Sequence, residues 1–532
     1  MTDHLRVRSS IEDLQYAYEQ GNKKPLEDLM RAWKGIKELP PDNPNSFFVI
    51  GGYHGEPFRG AGWGNSSYWG GYCNHGNVLF PPWHRAYLLR LENALRSVPG
   101  CADVTLPFWD ETGTSSKYNG IPWSLTVENF ELDGAPIPNP LRSFVLNRAI
   151  TDQISGDDPN YSKPLNYETV RYPLSGLVGT AADRQKTAAH NALFPNYNKN
   201  VGLLNANIIA WLTSYIEVRQ NGELVKIPTH VAQMYADCLN APNYTVFSNT
   251  TSAAEWNSNL SSGDAPVVPL EAPHNSVHLA VGGYDVPSGP NAADFSEIQG
   301  ANGDMGENDT AALDPIFYFH HCFVDRVFWL WQKRHDSADR LEIISQYPGT
   351  NSVDNQGPTP GVIPNSWLTL DSPLDPFRKN DGTPYTARDC VNIETQLGYT
   401  YGRGSLEEGV ALEAGHVAAG TVRRVHVTGV SRGAIRGSFL ISAFGTIGGR
   451  KQHLGTEAVL SRWHVEGCMN CQAHLNASAV IPVRGPLAEM AARGELGVEV
   501  EVRTRDGLLQ PGVKALSTGD TATRAMFRVQ LR

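Results

Sequence analysis

Between residues 314 and 332 apolar and aromatic residues surround two adjacent histidines, in the run DPIFYFHHCFVDRVFWLWQ. Positions four apart share one face of a helix, so His321 and Asp325 would lie together with Phe328 packed nearby. We predict a helix from residue 313 to about 335. A single histidine on such an apolar face is usually a satisfied core residue, so this element alone does not define a site.

Helical spacing of apolar residues also occurs earlier in the chain. Residues 10–38 are predicted to be helical, and the leucines after His84 indicate an amphipathic helix that begins at that histidine. Segment 40–83 is rich in Gly, Pro and Asn, so His54 and His75 are predicted to lie in loops. Further helices are predicted over 184–195, over 203–218 and from Pro273.

The pattern changes to period two after residue 403. Segments such as VRRVHVTGV, GSFLISAFG and VEVEVRTR alternate apolar and polar residues between glycine turns, which is typical of strands. A connector rich in Pro, Gly, Asn and Asp, over 346–390, precedes this part. The sequence therefore predicts a mainly α domain with long loops over residues 1–402 and a β-sandwich domain over residues 403–532.

Composition excludes several classes of protein. The net charge of −11 over 532 residues argues against nucleic acid as a partner. No run of apolar residues is long enough to predict a transmembrane helix, so no membrane association is expected. The first residues, MTDHLRVRSSIEDL, contain no apolar signal core, so we expect a cytoplasmic protein. The seven cysteines are dispersed and odd in number, which is not typical of a disulfide framework.

Histidines occur in sets whose spacing suits a metal. His274 and His278 form an H-x-x-x-H pair, which presents both imidazoles from one face of a helix. The glutamate that a zinc protease needs directly after the first histidine is absent. Imidazole ligands suit copper, zinc, iron and nickel. The other candidate ligands are His54, His75, His84 and His321.

Two long motifs narrow this choice. H-x4-F-P-P-W-H-R-x2-L-x3-E at His75–Glu92 and D-P-x-F-x3-H-x3-D at Asp314–Asp325 resemble the copper motifs of the tyrosinase family, the type 3 copper proteins. The resemblance covers about residues 1–402 and implies a four-helix bundle that holds two copper ions. The ligands it implies are His54, His75 and His84 for one copper and His274, His278 and His321 for the other.

The same resemblance assigns catalytic roles close to the ligands. Glu271 and Asn275 match a pair that has been proposed in this family to hold one water and to take the proton of a phenol. Cys73 matches the position at which some members form a thioether bond to the imidazole, here that of His75. A free buried thiol is the alternative for Cys73, and a helix-terminal acid is the alternative for Glu271.

Other candidates surround these residues. His320 does not align with the copper ligand and is predicted to pack beside the site, as is Asp325. Cys468 and Cys471 form a single C-x-x-C in the second domain, which the resemblance links to copper loading. A disulfide or a redox pair remains open for these two cysteines.

The resemblance implies an enzyme that oxidises phenols with dioxygen. Ortho-hydroxylation of monophenols and oxidation of o-diphenols to o-quinones are expected; catechol oxidase and o-aminophenol oxidase remain alternatives. A hemocyanin-like oxygen carrier is the rival class, although carriers are long multidomain or multi-subunit chains. The partners are small phenols and dioxygen, and an oligomer is possible. The β domain is expected to cover the site, with one residue of 458–463 entering the cleft.

Overall fold

A computed structural model describes residues 5–55, 71–151, 162–176, 181–220, 223–261, 264–286, 302–351, 366–407, 422–463, 475–505, 507–509, 513–515, 522–524 and 527–532. Helices dominate the described residues up to 334, and strands dominate those after 422, so the predicted fold class is confirmed. The helices are α1 (Ile11–Glu19), α2 (Lys24–Glu38), α3 (Phe47–Gly55), α4 (Phe80–Arg96), α5 (Thr114–Asn119), α6 (Ala181–Asn191), α7 (Tyr197–Thr213), α8 (Val231–Cys238), α9 (Tyr244–Ser248), α10 (Thr250–Ser258), α11 (Glu271–Gly282), α12 (Ile316–Arg334) and α13 (Pro486–Ala492).

The starts of the helices follow from local chemistry. Ser10 caps α1, because its hydroxyl accepts a hydrogen bond from the Asp13 N–H at 3.0 Å. Prolines stand in the first turns of α2 and α4, where the missing N–H would have no partner within the helix. Glu271 opens α11, where an acidic side chain interacts favourably with the positive end of the helix dipole.

Several predictions of local structure are wrong. The helix predicted to begin at His84 begins one turn earlier, at Phe80. His54 lies in α3 rather than in a loop, because the apolar run before it is buried and helical. Position 51 of this helix is a glycine because the backbone of Ala312 packs against it. A Cβ at Gly51 would lie 2.9 Å from the Ala312 oxygen. The helix predicted to reach residue 218 ends at Thr213. The strands of the described residues up to 401 are β1 (Arg6–Arg8), β2 (Asn129–Leu132), β3 (Ala135–Pro138), β4 (Ile150–Thr151), β5 (Ser162–Lys163), β6 (Tyr215–Gln220), β7 (Glu223–Pro228), β8 (Pro373–Arg378), β9 (Pro384–Thr386) and β10 (Tyr399–Tyr401).

Two antiparallel sheets form the β domain. Their strands are β11 (Arg423–Ser431), β12 (Phe439–Ile447), β13 (Arg450–Val459), β14 (Asn476–Val483), β15 (Gly497–Thr504), β16 (Gly507–Leu508), β17 (Val513–Ala515), β18 (Ala522–Arg524) and β19 (Phe527–Leu531). One sheet has the order β14-β11-β19-β18, and the other has the order β13-β12-β15-β16 with β17 also paired to β15. Alternate residues of β14 and β15 are buried, as expected for strands with one face in a core.

The two parts of the chain exchange core residues. The β6–β7 hairpin belongs to the first part of the chain and lies before α11. It places Ile216, Val218 and Ile227 in the apolar core of the β domain. In return, Leu440 and Leu460 of the β domain pack in the helical core. Each part therefore completes the core of the other.

Candidate metal centre

The first set of histidines comes from α3, α4 and the loop between them. His54 lies in the last turn of α3, His84 in the second turn of α4, and His75 just before α4. The ring centroids of His54 and His75 lie 5.3 Å apart, and those of His75 and His84 lie 5.2 Å apart. The Nε2 atom of each of the three is buried and has no hydrogen-bond partner among the described residues. His84 Nδ1 donates to the Phe80 carbonyl at 2.8 Å, so its Nε2 carries the free lone pair.

The second set comes from α11 and α12. The Nε2 atom of His321 lies 3.1 Å from that of His274 and 3.2 Å from that of His278. His278 Nδ1 donates to the Met305 carbonyl at 2.9 Å, and His274 Nδ1 donates to the Asn275 side-chain oxygen at 3.0 Å. The Nε2 lone pairs of His274 and His278 therefore both point at Nε2 of His321. A proton on that nitrogen could form a hydrogen bond with only one of them.

The spacing of these nitrogens fits a metal ion. Nitrogens that bind one ion at about 2.0 Å with near-tetrahedral angles lie about 3.3 Å apart. Burial lowers the pKa of His274, His278 and His321 well below the ordinary value, so all three are neutral donors at neutral pH. The arrangement therefore supplies what copper needs: three converging lone pairs without positive charge on the ligands.

The two sets face each other. The rings of His84 and His321 stack with centroids 4.5 Å apart, and the rings of His75 and His274 lie 5.7 Å apart. Phe317 stacks on His321 at 3.9 Å and contacts His54 edge-on at 4.8 Å, which closes one side of the site with an apolar ring. The structure thus brings all six predicted histidines into one buried centre.

His320 points to the same centre from α12. Its Nδ1 lies 2.5 Å from a Glu111 oxygen, and Tyr235 donates to the other oxygen at 2.8 Å. Its Nε2 has no hydrogen-bond partner within the described part of the chain. Glu111 was not among the candidates from the sequence. The feature of the sequence that could have indicated this buried residue is its position directly after the apolar run LPFWD.

Asp325 and the Glu271–Asn275 pair have different surroundings. Asp325 accepts hydrogen bonds from Arg85 at 2.6 Å and from the two tyrosines of β10, so it binds α12 to its neighbours. Asn275 is buried beside His274. Glu271 accepts hydrogen bonds from the Gly76 N–H at 2.7 Å and the Thr250 N–H at 2.9 Å, and burial raises its pKa.

Cys73 is a free, buried cysteine at the first set. Its sulfur lies close enough to ring nitrogens of His54 and His75 for the three to hold one ion. Asn308 Nδ2 lies 3.6 Å from the sulfur, and Arg462 of the β domain lies 3.7 Å from it. The thioether to His75 stays a prediction. The predicted copper-loading pair, Cys468 and Cys471, lies outside the described residues.

Fold and site together define a helical metalloprotein with a dinuclear, all-imidazole centre. Residues 44–334 match the common central domain of tyrosinase. The chain belongs to the tyrosinase family. It is therefore an oxidoreductase that uses two copper ions and acts on phenols with dioxygen, which confirms the predicted enzyme class and cofactor. The assignment of each histidine as a ligand stays a prediction.

Similar proteins cover almost the whole chain. A tyrosinase of Hahella sp. is 51% identical over 94% of this chain and 92% of its own length. A tyrosinase of Aspergillus oryzae is 44% identical over 94% of this chain and 93% of its own. The solved structure of a tyrosinase from Burkholderia thailandensis is 50% identical, with a TM-score of 0.81 over 94% of this chain and 96% of that chain. No helix among the described residues is long and apolar enough to span a membrane.

Proposed function

We propose that the enzyme is a tyrosinase in the strict sense, which hydroxylates monophenols at the ortho position and also oxidises o-diphenols to o-quinones. The observation that carries this proposal is the position of Asn275 and Glu271 on α11, next to His274. Catechol oxidation and o-aminophenol oxidation need no group to take the proton of a monophenol, so this pair favours the broader activity.

Hydroxylation of a monophenol requires that its phenolic proton be removed, and we assign this step to Glu271 and Asn275. A phenol has a pKa of about 10, so it enters the site protonated at neutral pH. Burial raises the pKa of Glu271, which makes it a stronger base than an ordinary carboxylate. Asn275 uses its side-chain oxygen for His274 Nδ1 at 3.0 Å, which leaves its amide N–H groups for a water or a phenol oxygen.

The remaining residues bind the ring and exclude water. Two bound copper ions supply the activation of dioxygen. The His278 ring of α11 and the Phe317 ring of α12 lie 5.6 Å apart and form an aromatic wall at the site. Both residues are buried, so the reacting atoms lie in a dry environment.

Replacement of Asn275 tests the proposal. We expect Asn275→Ala to reduce hydroxylation of p-cresol about tenfold more than oxidation of catechol, because only the first reaction needs the phenol proton removed. Oxygen uptake on each substrate measures the two rates, with copper content determined for each variant. The exposed Asn259, changed to Ala, is the matched control.

A wild-type enzyme that oxidises catechol but not p-cresol would make catechol oxidase the better description. An equal loss on both substrates in the Asn275 variant would assign that residue to the integrity of the site rather than to proton transfer.

We also propose that the β domain covers the copper centre in the intact chain and holds the enzyme in a slow state. Arg462 pairs with Asp309 at 2.9 Å and donates to the Gly55 carbonyl at 2.6 Å, next to His54. Ser438 donates to the Gly306 carbonyl at 2.7 Å, next to Met305. The β domain thus binds both loops that support the histidines, and these contacts support the covering role predicted for segment 458–463.

A further inference from the structure

A cavity remains between the two domains beside the copper centre. Its volume is about 360 Å³. Asn275 forms part of its inner wall, and the hydrogen bond from His274 to Asn275 joins that wall to the metal site. The β domain contributes Arg432, Glu457, Ala458 and Val459 to the lining of the cavity.

Arg432 is the arginine that lines this cavity. Its backbone N–H donates to the Leu475 carbonyl at 2.6 Å, which fixes the turn after β11. Its side-chain Nε is buried and has no hydrogen-bond partner among the described residues. By contrast, Arg462 pairs with Asp309, and Arg484 pairs with Asp237 at 2.5 Å. Arg432 therefore places at the wall of the cavity a guanidinium whose Nε has no hydrogen-bond partner among the described residues.

Two carboxyl groups, those of Glu271 and Glu457, lie close enough to interact with this guanidinium. Burial and the proximity of Glu271 raise the pKa of Glu457 to about 8, so it is mostly protonated at neutral pH. Glu271 attracts the guanidinium of Arg432, but its two oxygens accept their hydrogen bonds from the N–H groups of Gly76 and Thr250. The chain as a whole carries a charge of −11, so it does not attract anions in general. Attraction of an anion here has to come from the local guanidinium.

We propose that Arg432 makes this cavity a binding site for the carboxylate of phenolic acids, so that the intact enzyme selects phenols that carry a carboxylate on a short side chain. A guanidinium binds a carboxylate with two parallel hydrogen bonds, which a neutral or cationic side chain cannot replace. With the carboxylate at Arg432, the aromatic ring would occupy the cavity that Asn275 also lines, beside His274. The inference rests on phenol oxidation at this centre, and it adds a specificity-determining residue.

Binding to the copper-free intact chain tests the proposal without catalysis. Hydrocinnamate has the ring and the carboxylate but no hydroxyl group, and its amide is the uncharged match. We expect calorimetry to show hydrocinnamate binding at least about tenfold more tightly than the amide, a ratio typical of one charge-assisted pair. Arg432→Gln should abolish the difference, and Arg432→Lys should retain part of it.

Arg436 provides the matched control. It lies four residues further along, is largely exposed, and is 3.8 Å from Asp183 rather than at the cavity. Arg436→Gln should bind hydrocinnamate like the wild type. If Arg432→Gln binds the acid as tightly as the wild type does, or if the wild type does not distinguish acid from amide, the proposal is wrong.

Kinetics on the copper-loaded intact chain give a second readout. Arg432→Gln should lower kcat/KM for dihydrocaffeate about tenfold through KM, while catechol and dopamine stay within about twofold. A loss in kcat on all three substrates would contradict a role in specificity. Failure of catechol oxidation by the wild type would overturn the proposed function but would leave the binding result intact, so the two failures are distinguishable.

Discussion

His84 and His321 lie on different helices and belong to different sets, although their rings stack 4.5 Å apart. If each set holds one copper, then removal of one imidazole should empty one site and spare the other. We expect His84→Ala and His321→Ala each to retain roughly half of the wild-type copper, measured as metal per chain. His335, at the end of α12, donates to the Leu239 carbonyl and is the control, since His335→Ala should keep full copper.

Full copper in both ligand variants would contradict this assignment. Zinc in the wild-type protein in place of copper would change the class of reaction. Loss of both ions in each variant would indicate that the sets fill cooperatively rather than independently.

The resemblance to the copper motifs singled out six histidines that the structure brings together, but it did not predict the residues that support them. Spacing on a helix places His274 and His278 on one face, and this follows from geometry alone. Glu111 reaches His320 across 209 residues of chain, and Tyr87 reaches Tyr318 across 231. Such contacts depend on how the helices pack, so no local pattern predicts them.

At the scale of elements, Asp325 ties three parts of the core together. It binds Arg85 of α4 at 2.6 Å and accepts hydrogen bonds from Tyr399 and Tyr401 of β10. Because β1 pairs in parallel with β10, Arg8 also approaches Asp325, at 3.7 Å. The Tyr-x-Tyr pair thus closes the helical part of the chain through a buried charge.

Removal of this carboxylate should destabilise the helical part strongly. Asp325→Asn leaves the Arg85 guanidinium buried without its counter-charge, which we expect to cost about 3–5 kcal/mol of the free energy of unfolding. Urea unfolding, followed by tryptophan fluorescence, measures the change. The matched control is Asp371→Asn, since Asp371 pairs with Arg388 at the surface and its loss should have little effect. A small effect of Asp325→Asn would contradict the role in stability.

The β6–β7 hairpin shows why some elements could not be predicted. Residues 203–218 carry helical spacing at their start, and the hairpin that follows has the alternation of a strand over only a few positions. Its apolar side chains are buried against strands of the β domain, which lie far along the chain. The choice between helix and strand was therefore made by tertiary packing.

At the scale of the whole molecule, the β domain contacts the loops beside the predicted copper centre. Arg462, Ser438 and Trp463 bind the loops that carry Asp309 and Gly306. A cover held by such contacts should slow the entry of substrates. We expect cleavage within residues 403–415 to increase the rate with catechol, measured on the intact and cleaved chains after limited proteolysis.

The substitution Arg462→Gln gives an uncut control, because it weakens the cover without breaking the chain. It leaves Asp309 without its ion pair, so the rate should rise partway. A cleaved chain that stays folded and loaded with copper, yet is no faster than the intact chain, would show that the β domain does not limit access.

The helical part and the β domain each bury apolar residues of the other, so an enzyme activated by loss of the β domain would expose some of them. If the β domain leaves, Ile216, Val218 and Ile227 lose the partners that bury them and become an apolar patch on a mobile hairpin. Leu224, already exposed on the same hairpin, would extend that patch. Apolar surface of this kind promotes self-association. The freed catalytic part should therefore need detergent, a fused partner or polar substitutions on β6 and β7 to remain dispersed at high concentration.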